Sequence, residues 1–467
     1  RFGFDNKGEF DPLASLGGSL LQVNSISKDC AEFVPEEANV VSMRLTNSSM
    51  AFGMVEAIPD ADLLVNQTSP PGGVSGRAHM VAAFEDAPGS PLHVGRFGWK
   101  AQLPTTLSFS ADATQNELGF SNRFIPFDNA PNGNASLLAQ CDTVADPEDH
   151  ADANGRDFID RVTNFQRFLA PPPQTPKSGM SGEVVFNTIG CNNCHVKTFT
   201  TSNAPAETAL KNKTIHPYSD FLLHDMGLLG DGIVQGDAQP TEMRTPTLWG
   251  VRIRDPMLHD GRVGAGTFHS RIMDVIGWHG VFGSEAKPSA DAFNALSTQD
   301  QDALIAFLDS LGRAEFDANG DNFLTVDDFN AFRGCYLGGP YTANDPCAIS
   351  DINQDGHVDM TDFQSFLLGW DGPRGDCNGN GIIDIQDILL GVSSDVDMDG
   401  IPDGCQPSCV GDTNGSNSIN IDDLTSVILG WGPCPALPSP CAGDVNNDHI
   451  VNIDDLTSII LGWGNCP

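Results

Sequence analysis

The chain is 467 residues long and carries 62 acidic side chains against 24 basic ones, for a formal net charge of −38 and a pI near 4.2. Charge of that sign repels phosphate and excludes nucleic acid as a natural partner. No apolar run reaches the roughly 18 residues a membrane span needs, which excludes a transmembrane helix. The length has room for two or three domains with cores of their own. The opening Arg1-Phe2-Gly3-Phe4, with neither initiator methionine nor signal peptide, reads as the middle of a domain and so as a fragment or processed product.

Residues 1–175 mix short apolar runs with many Gly, Pro and Asn. Helices are expected over 11–23, around 39–54 and over 156–169, separated by loops such as Ser69-Pro70-Pro71-Gly72-Gly73, before Pro171-Pro172-Pro173 makes a stiff extended break. The next unit, 176–313, begins with a helix over 181–188. It ends with one over 294–311, where Leu304, Ile305, Phe307, Leu308 and Leu311 share a face. Ser297 with Asp300 caps that helix, and Gly312 stops it. A short first helix and an amphipathic last one, with long loops between, is how small c-type cytochrome domains are built. The expected fold is therefore mainly α, with haem domains wrapped by loops.

Between those helices stands Gly190-Cys191-Asn192-Asn193-Cys194-His195. Two cysteines two residues apart can form thioethers with the two vinyl groups of a haem, and the adjoining histidine then meets the iron. Half of a zinc site is the rival, but zinc needs a second ligand pair and none is present at compatible spacing. A thioredoxin-type pair lacks the adjoining histidine. Haem c is therefore the expected cofactor. An open sixth position would make a peroxide site and a filled one an electron carrier. Spacing alone does not choose among His216, His224, His259, His269, His279, Met226, Met243, Met257 and Met273. Haem of the c type is attached outside the cytoplasm, and paired cysteines persist in oxidising compartments, so the protein is expected to be periplasmic, at the cell surface or secreted.

From residue 313 onward, 25 acidic side chains face three arginines and no lysine, leaving 37 acidic and 21 basic before it. Such a block either repels itself into disorder or is neutralised by cations. Its spacing points to cations: calcium takes six to eight oxygens, which a 12-residue loop offers at positions 1, 3, 5, 7, 9 and 12. Asp351, Asn353, Asp355, Asp359 and Asp362 fill that template around Gly356, and Asp376, Asn378, Asn380, Asp384 and Asp387 fill it around Gly381. Asp317, Asn319, Asp321 and Asp328 make another, Asp444, Asn446, Asp448, Asn452 and Asp455 a fourth, and Asp412, Asn414, Ser416, Asn420 and Asp423 a fifth. Calcium is thus the second expected cofactor. Residues 419–432 and 451–464 repeat one another as x-N-I-D-D-L-T-S-x-I-L-G-W-G. Expected disulfides are Cys409–Cys434 and Cys441–Cys466 at equal spacing, Cys377–Cys405, Cys335–Cys347 and, by elimination, Cys30–Cys141. The expected boundaries in this part are 314–406 for single calcium loops and 407–467 for the repeat pair.

Asp395, Asp397, Asp399 and Gly400, followed by Pro402 and Asp403, look like a thrombospondin type 3 calcium turn. The repeats resemble dockerin type I and related EF-hand modules, which implies a docking or surface-retention partner for the tail. The larger part carries a second resemblance. Ser219-Asp220-Phe221-Leu222-Leu223-His224-Asp225-Met226-Gly227 is followed by Arg244-Thr245-Pro246-Thr247-Leu248-Trp249-Gly250, Leu258-His259-Asp260-Gly261-Arg262 and Gly277-Trp278-His279-Gly280. With Gly95-Arg96-Phe97-Gly98-Trp99-Lys100-Ala101 upstream, this series resembles the di-haem oxidoreductase family, relatives of bacterial di-haem cytochrome c peroxidases and of MauG, over about residues 1–313.

The resemblance implies an exported oxidoreductase reducing hydrogen peroxide with electrons from a small redox donor such as a cytochrome c or a cupredoxin. It makes His195 the proximal ligand of an electron-transfer haem, with His279 opposite it and Met273 as the alternative. It makes Glu117 the acid/base for peroxide and Trp99 an electron conduit, and it puts His224 and His259 in the haem lining. The family carries two C-x-x-C-H motifs and this chain one, so the second is expected upstream of Arg1. The alternatives are a non-catalytic electron-transfer or surface-scaffold cytochrome held by its calcium tail, and MauG-like oxidation of a protein side chain.

Overall fold

The computed structural model describes residues 1–465 except 19, 23, 371, 406–410, 417, 435–440, 442 and 447. Among them run fourteen α-helices, which with the 3-10 turns take about 35% of the residues, and strands of two or three residues joined in six antiparallel pairs. The architecture is mixed rather than mainly α: helices and 3-10 turns are carried on long loops. No described helix is long and apolar enough to cross a membrane. The chain forms two compact units, one of Arg1–Phe323 with Leu337–Gly369 and the other of Leu324–Tyr336 with Trp370–Pro467.

The first unit holds α1 (Phe52–Glu56), α2 (Asp60–Thr68), α3 (Thr106–Leu118), α4 (Ala135–Cys141) and α5 (Phe158–Phe168) in its earlier half. Thr105 caps α3 by accepting the Ser108 N–H, and Gly119, left-handed at φ 64°, ends it. Asp157 and Asp160 form a capping box on α5, the helix expected over 156–169. Phe52, Phe97 and Phe109 interlock at ring distances of 4.6 to 6.1 Å where these helices meet.

Two expected helices are absent. Among the described residues of 11–23 the only helical element is the 3-10 turn Ala14–Leu16, because Leu13 and Gly17 both take positive φ. Residues 39–50 are irregular, and helix begins only at α1. Their backbone is committed elsewhere: Phe2 and Val40 bond each other, the Leu45 N–H bonds the His259 carbonyl, and the Leu45 and Thr46 carbonyls accept from Trp99 and Arg254. Backbone groups spent on distant partners cannot close i to i−4 bonds.

The later half contains α6 (Ser181–Thr188), α7 (Phe268–His279), α8 (Lys287–Asn294) and α9 (Thr298–Ser310). Ser297 caps α9 as expected, accepting the Asp300 N–H. A Cβ on Gly182 of α6 would lie 1.9 Å from the Ala303 carbonyl oxygen, so only glycine permits the close crossing of α6 and α9. The apolar face of α9 packs with Phe186, Tyr218 and Phe293 into one core.

Helix α10 (Val326–Cys335) belongs to the second unit and α11 (Met360–Gly369) to the first; α12 (Asp384–Leu389), α13 (Ile421–Leu429) and α14 (Ile453–Leu461) complete the second. The closing strand of each repeat pairs with the loop of the other, Gly432–Pro433 with Ile450–Val451 and Gly464–Asn465 with Ser418–Ile419. Equivalent residues fill the core between them, Ile419 with Val451 and Val427 with Ile459.

Cys30–Cys141 and Cys377–Cys405 are bonded as expected, and Cys335 and Cys347 are both disulfide-bonded. The expected Cys409–Cys434 and Cys441–Cys466 pairs are corrected: Cys434 bonds Cys441. The strand exchange explains this, since the Cys434 N–H bonds His449 of the other repeat and its Cα comes within 5.6 Å of that of Cys441. Cys409 and Cys466 lie outside the described residues.

Candidate functional site

Helix α6 ends at Ile189. Gly190, at φ 86°, turns the chain into the 3-10 turn Cys191–Asn193, and the His195 N–H closes back onto the Cys191 carbonyl. Cys191 and Cys194 are both free thiols, and burial pushes Cys191 up to about 12. Both face a cavity with about 1960 Å³ of free space, part of it open to solvent.

His195 and His279 line the same cavity. The Nδ1 of His195 bonds the Tyr218 carbonyl oxygen at 2.8 Å, and the Nδ1 of His279, at the end of α7, bonds the Val275 carbonyl oxygen at 2.7 Å. Each ring is thereby oriented and its Nε2 left free to bind metal. Burial pushes His195 down to about 4 and lowers His279, which favours the neutral imidazole in both. The two rings are near enough that charge on His279 lowers His195 further. Met273, also on α7, packs against the core of the later half and is not among the cavity-lining residues.

His224 lines the cavity but has both nitrogens engaged: Nε2 with Asp220 at 2.9 Å and Nδ1 with Glu285 at 2.8 Å. Burial works against its charge, yet the bonds to Asp220, Cys194 and Glu285 outweigh it and raise His224 to about 12. It is a buried imidazolium clamped by carboxylates, and neither nitrogen is left for iron. His259 lines the cavity with Nε2 unbonded and lowered by burial, and its ring meets the edge of Trp99 at 6.2 Å. Trp99 is fixed there by donating Nε1–H to the Leu45 carbonyl at 2.6 Å. Glu117 stands on the last turn of α3, exposed and outside the cavity lining. Burial raises it, and its charge adds to the burial that raises neighbouring Asp112 to about 6.

The family model described as di-haem oxidoreductase, putative peroxidase, matches residues 24–311. The chain belongs to the di-haem oxidoreductase family. No curated protein matches it. The donor set fits the cofactor that this oxidoreductase family implies: two unoxidised cysteines, two oriented neutral imidazoles and an apolar cavity between them. These 467 residues hold one C-x-x-C-H.

Sequence reasoning did not find the carboxylate partners of His224, because Glu285 stands 61 residues away in a stretch without a motif. It quoted Arg244 within a motif but gave it no role. Arg254, which lines the same cavity, lay outside every motif.

Four of the five acidic loops share one bonding pattern. The first aspartate of each, Asp351, Asp376, Asp412 and Asp444, accepts through Oδ1 the N–H four residues on, at 3.0 to 3.2 Å. The last aspartates Asp362, Asp423 and Asp455 are fully buried, and each accepts two N–H groups from the start of its loop. Asp387 is also buried and accepts from Asn378 and Asn380. Asp317 accepts the Gly320 N–H, Asn319 bonds Asp321, and Asp328 closes the capping box on α10. The carboxylates of Asp395, Asp397 and Asp399 lie within 4.8 Å of one another. Asn353 and Asn446 bond Asp355 and Asp448, Asn414 and Asn452 accept loop N–H groups, and Asp359 and Asp384 do the same in their loops.

Proposed function

We propose that this di-haem oxidoreductase is an exported peroxidase-like enzyme whose Cys191/Cys194 haem passes electrons from a small redox donor towards hydrogen peroxide. The observation that carries the reading is the pair His195 and His279: two histidines on one cavity, each with Nδ1 tied to a backbone carbonyl and Nε2 free. Cys191 and Cys194 would hold haem c through thioethers, and the two imidazoles would bind its iron. A haem bound there supplies a one-electron redox centre. With His195 and His279 both given to its iron, such a haem would serve electron transfer, and peroxide chemistry would fall to the family's second haem. Trp99, at the cavity wall against His259, would exchange electrons with that haem. Glu117 would manage protons away from this cavity, consistent with service to a different centre.

The bis-histidine geometry also favours the second reading, a non-catalytic electron carrier. One experiment separates them. The full-length protein, loaded with both haems of the family and mixed with a reduced cytochrome c, should oxidise it only when hydrogen peroxide is added, with turnover well above the blank. Reversible reduction without peroxide-dependent turnover would leave the carrier. In the same reading the buried loop aspartates hold calcium, and the repeat pair serves as a docking module.

A further inference from the structure

Acidic side chains outnumber basic ones by more than two to one in this chain, so an arginine without a carboxylate partner is conspicuous. Two stand on the wall of the haem cavity. Arg244 is 6% exposed and bonds only neutral oxygens, those of Gly98 at 2.7 Å, Thr245 at 2.9 Å and the Asn47 side chain at 3.3 Å. Arg254, half-buried, donates to the Thr46 carbonyl at 2.7 Å. Burial lowers both, Arg244 to about 10 even with the nearby Asp220 carboxylate, which does not bond it, acting the other way. Elsewhere in the unit buried cations are matched: Arg96 with Asp60 and Lys100 with Asp231. Burying a charge unpaired costs several kcal/mol, on the order of what a folded domain has to spare. Their bonds fall on neighbouring residues, Arg244 on the Asn47 side chain and Arg254 on the Thr46 carbonyl, next to Leu45, whose backbone bonds Trp99 and His259.

We infer that Arg244 and Arg254 are the propionate-binding residues of this cavity, supplying the cationic partners for the two carboxylates of the haem held by Cys191 and Cys194. The inference rests on haem binding there. A planar fork of N–H donors suits a carboxylate, and the chain has left both forks without one. Arg244 acts as a positioning residue for iron chemistry: its charge sets how far the reduced state is favoured.

The test uses the full chain with haem attached, first checked for covalent haem by its mass and Soret band; absence of haem would sink the functional reading itself, before any variant is made. Arg244→Gln and Arg254→Gln are then compared with wild type by redox titration followed at the Soret band and by the propionate bending band in resonance Raman spectra. The expected result is a fall in midpoint potential in both variants, because loss of a cation favours the ferric state, together with a shifted Raman band. Arg244→Lys should restore most of the potential but not the band. Covalent haem with wild-type potential and band in both glutamine variants overturns the inference. Should R244Q fail to accumulate, R254Q is read alone against the same two outcomes.

Discussion

His224 illustrates how much a single side chain commits in the cavity lined by Cys191 and Cys194. Its two nitrogens satisfy Asp220 and Glu285 at once, and all three groups are drawn largely out of water. Removing one member of a buried pair leaves the others as uncompensated charge, which costs about 3–5 kcal/mol. His224→Ala is therefore expected to lose that much in denaturant unfolding. The pH dependence has a definite sign. His224 is raised from 6.5 to about 12, so its contribution is complete below the unfolded value and lost only as pH climbs towards 12. Glu285 is lowered from 4.5 despite burial, by its bonds to His224 and Ser75, so its share is present above that value and fades in acid. The gap between wild type and variant should be widest between about pH 4.5 and 6.5, narrow in acid as Glu285 is protonated, and narrow again as pH rises above 6.5. A gap under 1 kcal/mol at pH 7 would mean that the clamp is ornamental.

Elements were legible in proportion to how local their causes were. Helix α5, helix α6 and the Ser297 cap on α9 follow from patterns within a dozen residues, and each stands where those patterns put it. The stretch 39–50 could not be read that way. Its apolar spacing resembles a helix, while its backbone is bonded to residues more than fifty positions away. The same reason hid the Cys434–Cys441 bond, since equal spacing suggested one disulfide per repeat whereas the strands cross between repeats. In the site, the covalent motif was legible as six consecutive residues, but Glu285 and Arg254 join it only through folding. The repeats themselves carry a prediction at this scale. Asp455 accepts the N–H groups of Val445, Asn446 and Asn452 from a fully buried position, whereas Asp454 beside it is exposed. Asp455→Ala should cost about 1–3 kcal/mol for each donor that water fails to reach, and Asp454→Ala only about 0.3–1 kcal/mol through the helix N-terminus. Urea unfolding of the full chain followed by fluorescence reads the contrast; equal effects would argue against the buried carboxylate as organiser of the loop.

For the whole molecule, charge is the quantity to be explained. A net −38 with 25 acids beyond residue 312 opposes compaction, yet the last aspartates of the loops are buried and bonded rather than splayed into solvent. Backbone N–H groups offset part of that cost, since Asp362, Asp423 and Asp455 each accept three of them, but dipoles do not cancel net charge. Divalent cations would, and the loops offer them oxygens at calcium's spacing. Any ion that binds the folded chain alone stabilises it by RT ln(1 + [L]/Kd), about 2.7 kcal/mol per site at a hundredfold excess over Kd. Calcium at millimolar concentration should therefore raise the melting temperature and EDTA lower it. Simple screening predicts something different: with a Debye length of about 8 Å at 0.15 M salt, sodium chloride would reproduce the effect only at far higher concentration, and magnesium would match calcium ion for ion. The loop at Asp351–Asp362 lies in the same unit as the haem cavity, so calcium should delay loss of the bound haem's Soret signal on heating as well. If calcium moves neither transition, or sodium chloride at equal ionic strength moves both as far, the acidic loops are held by their backbone bonds alone.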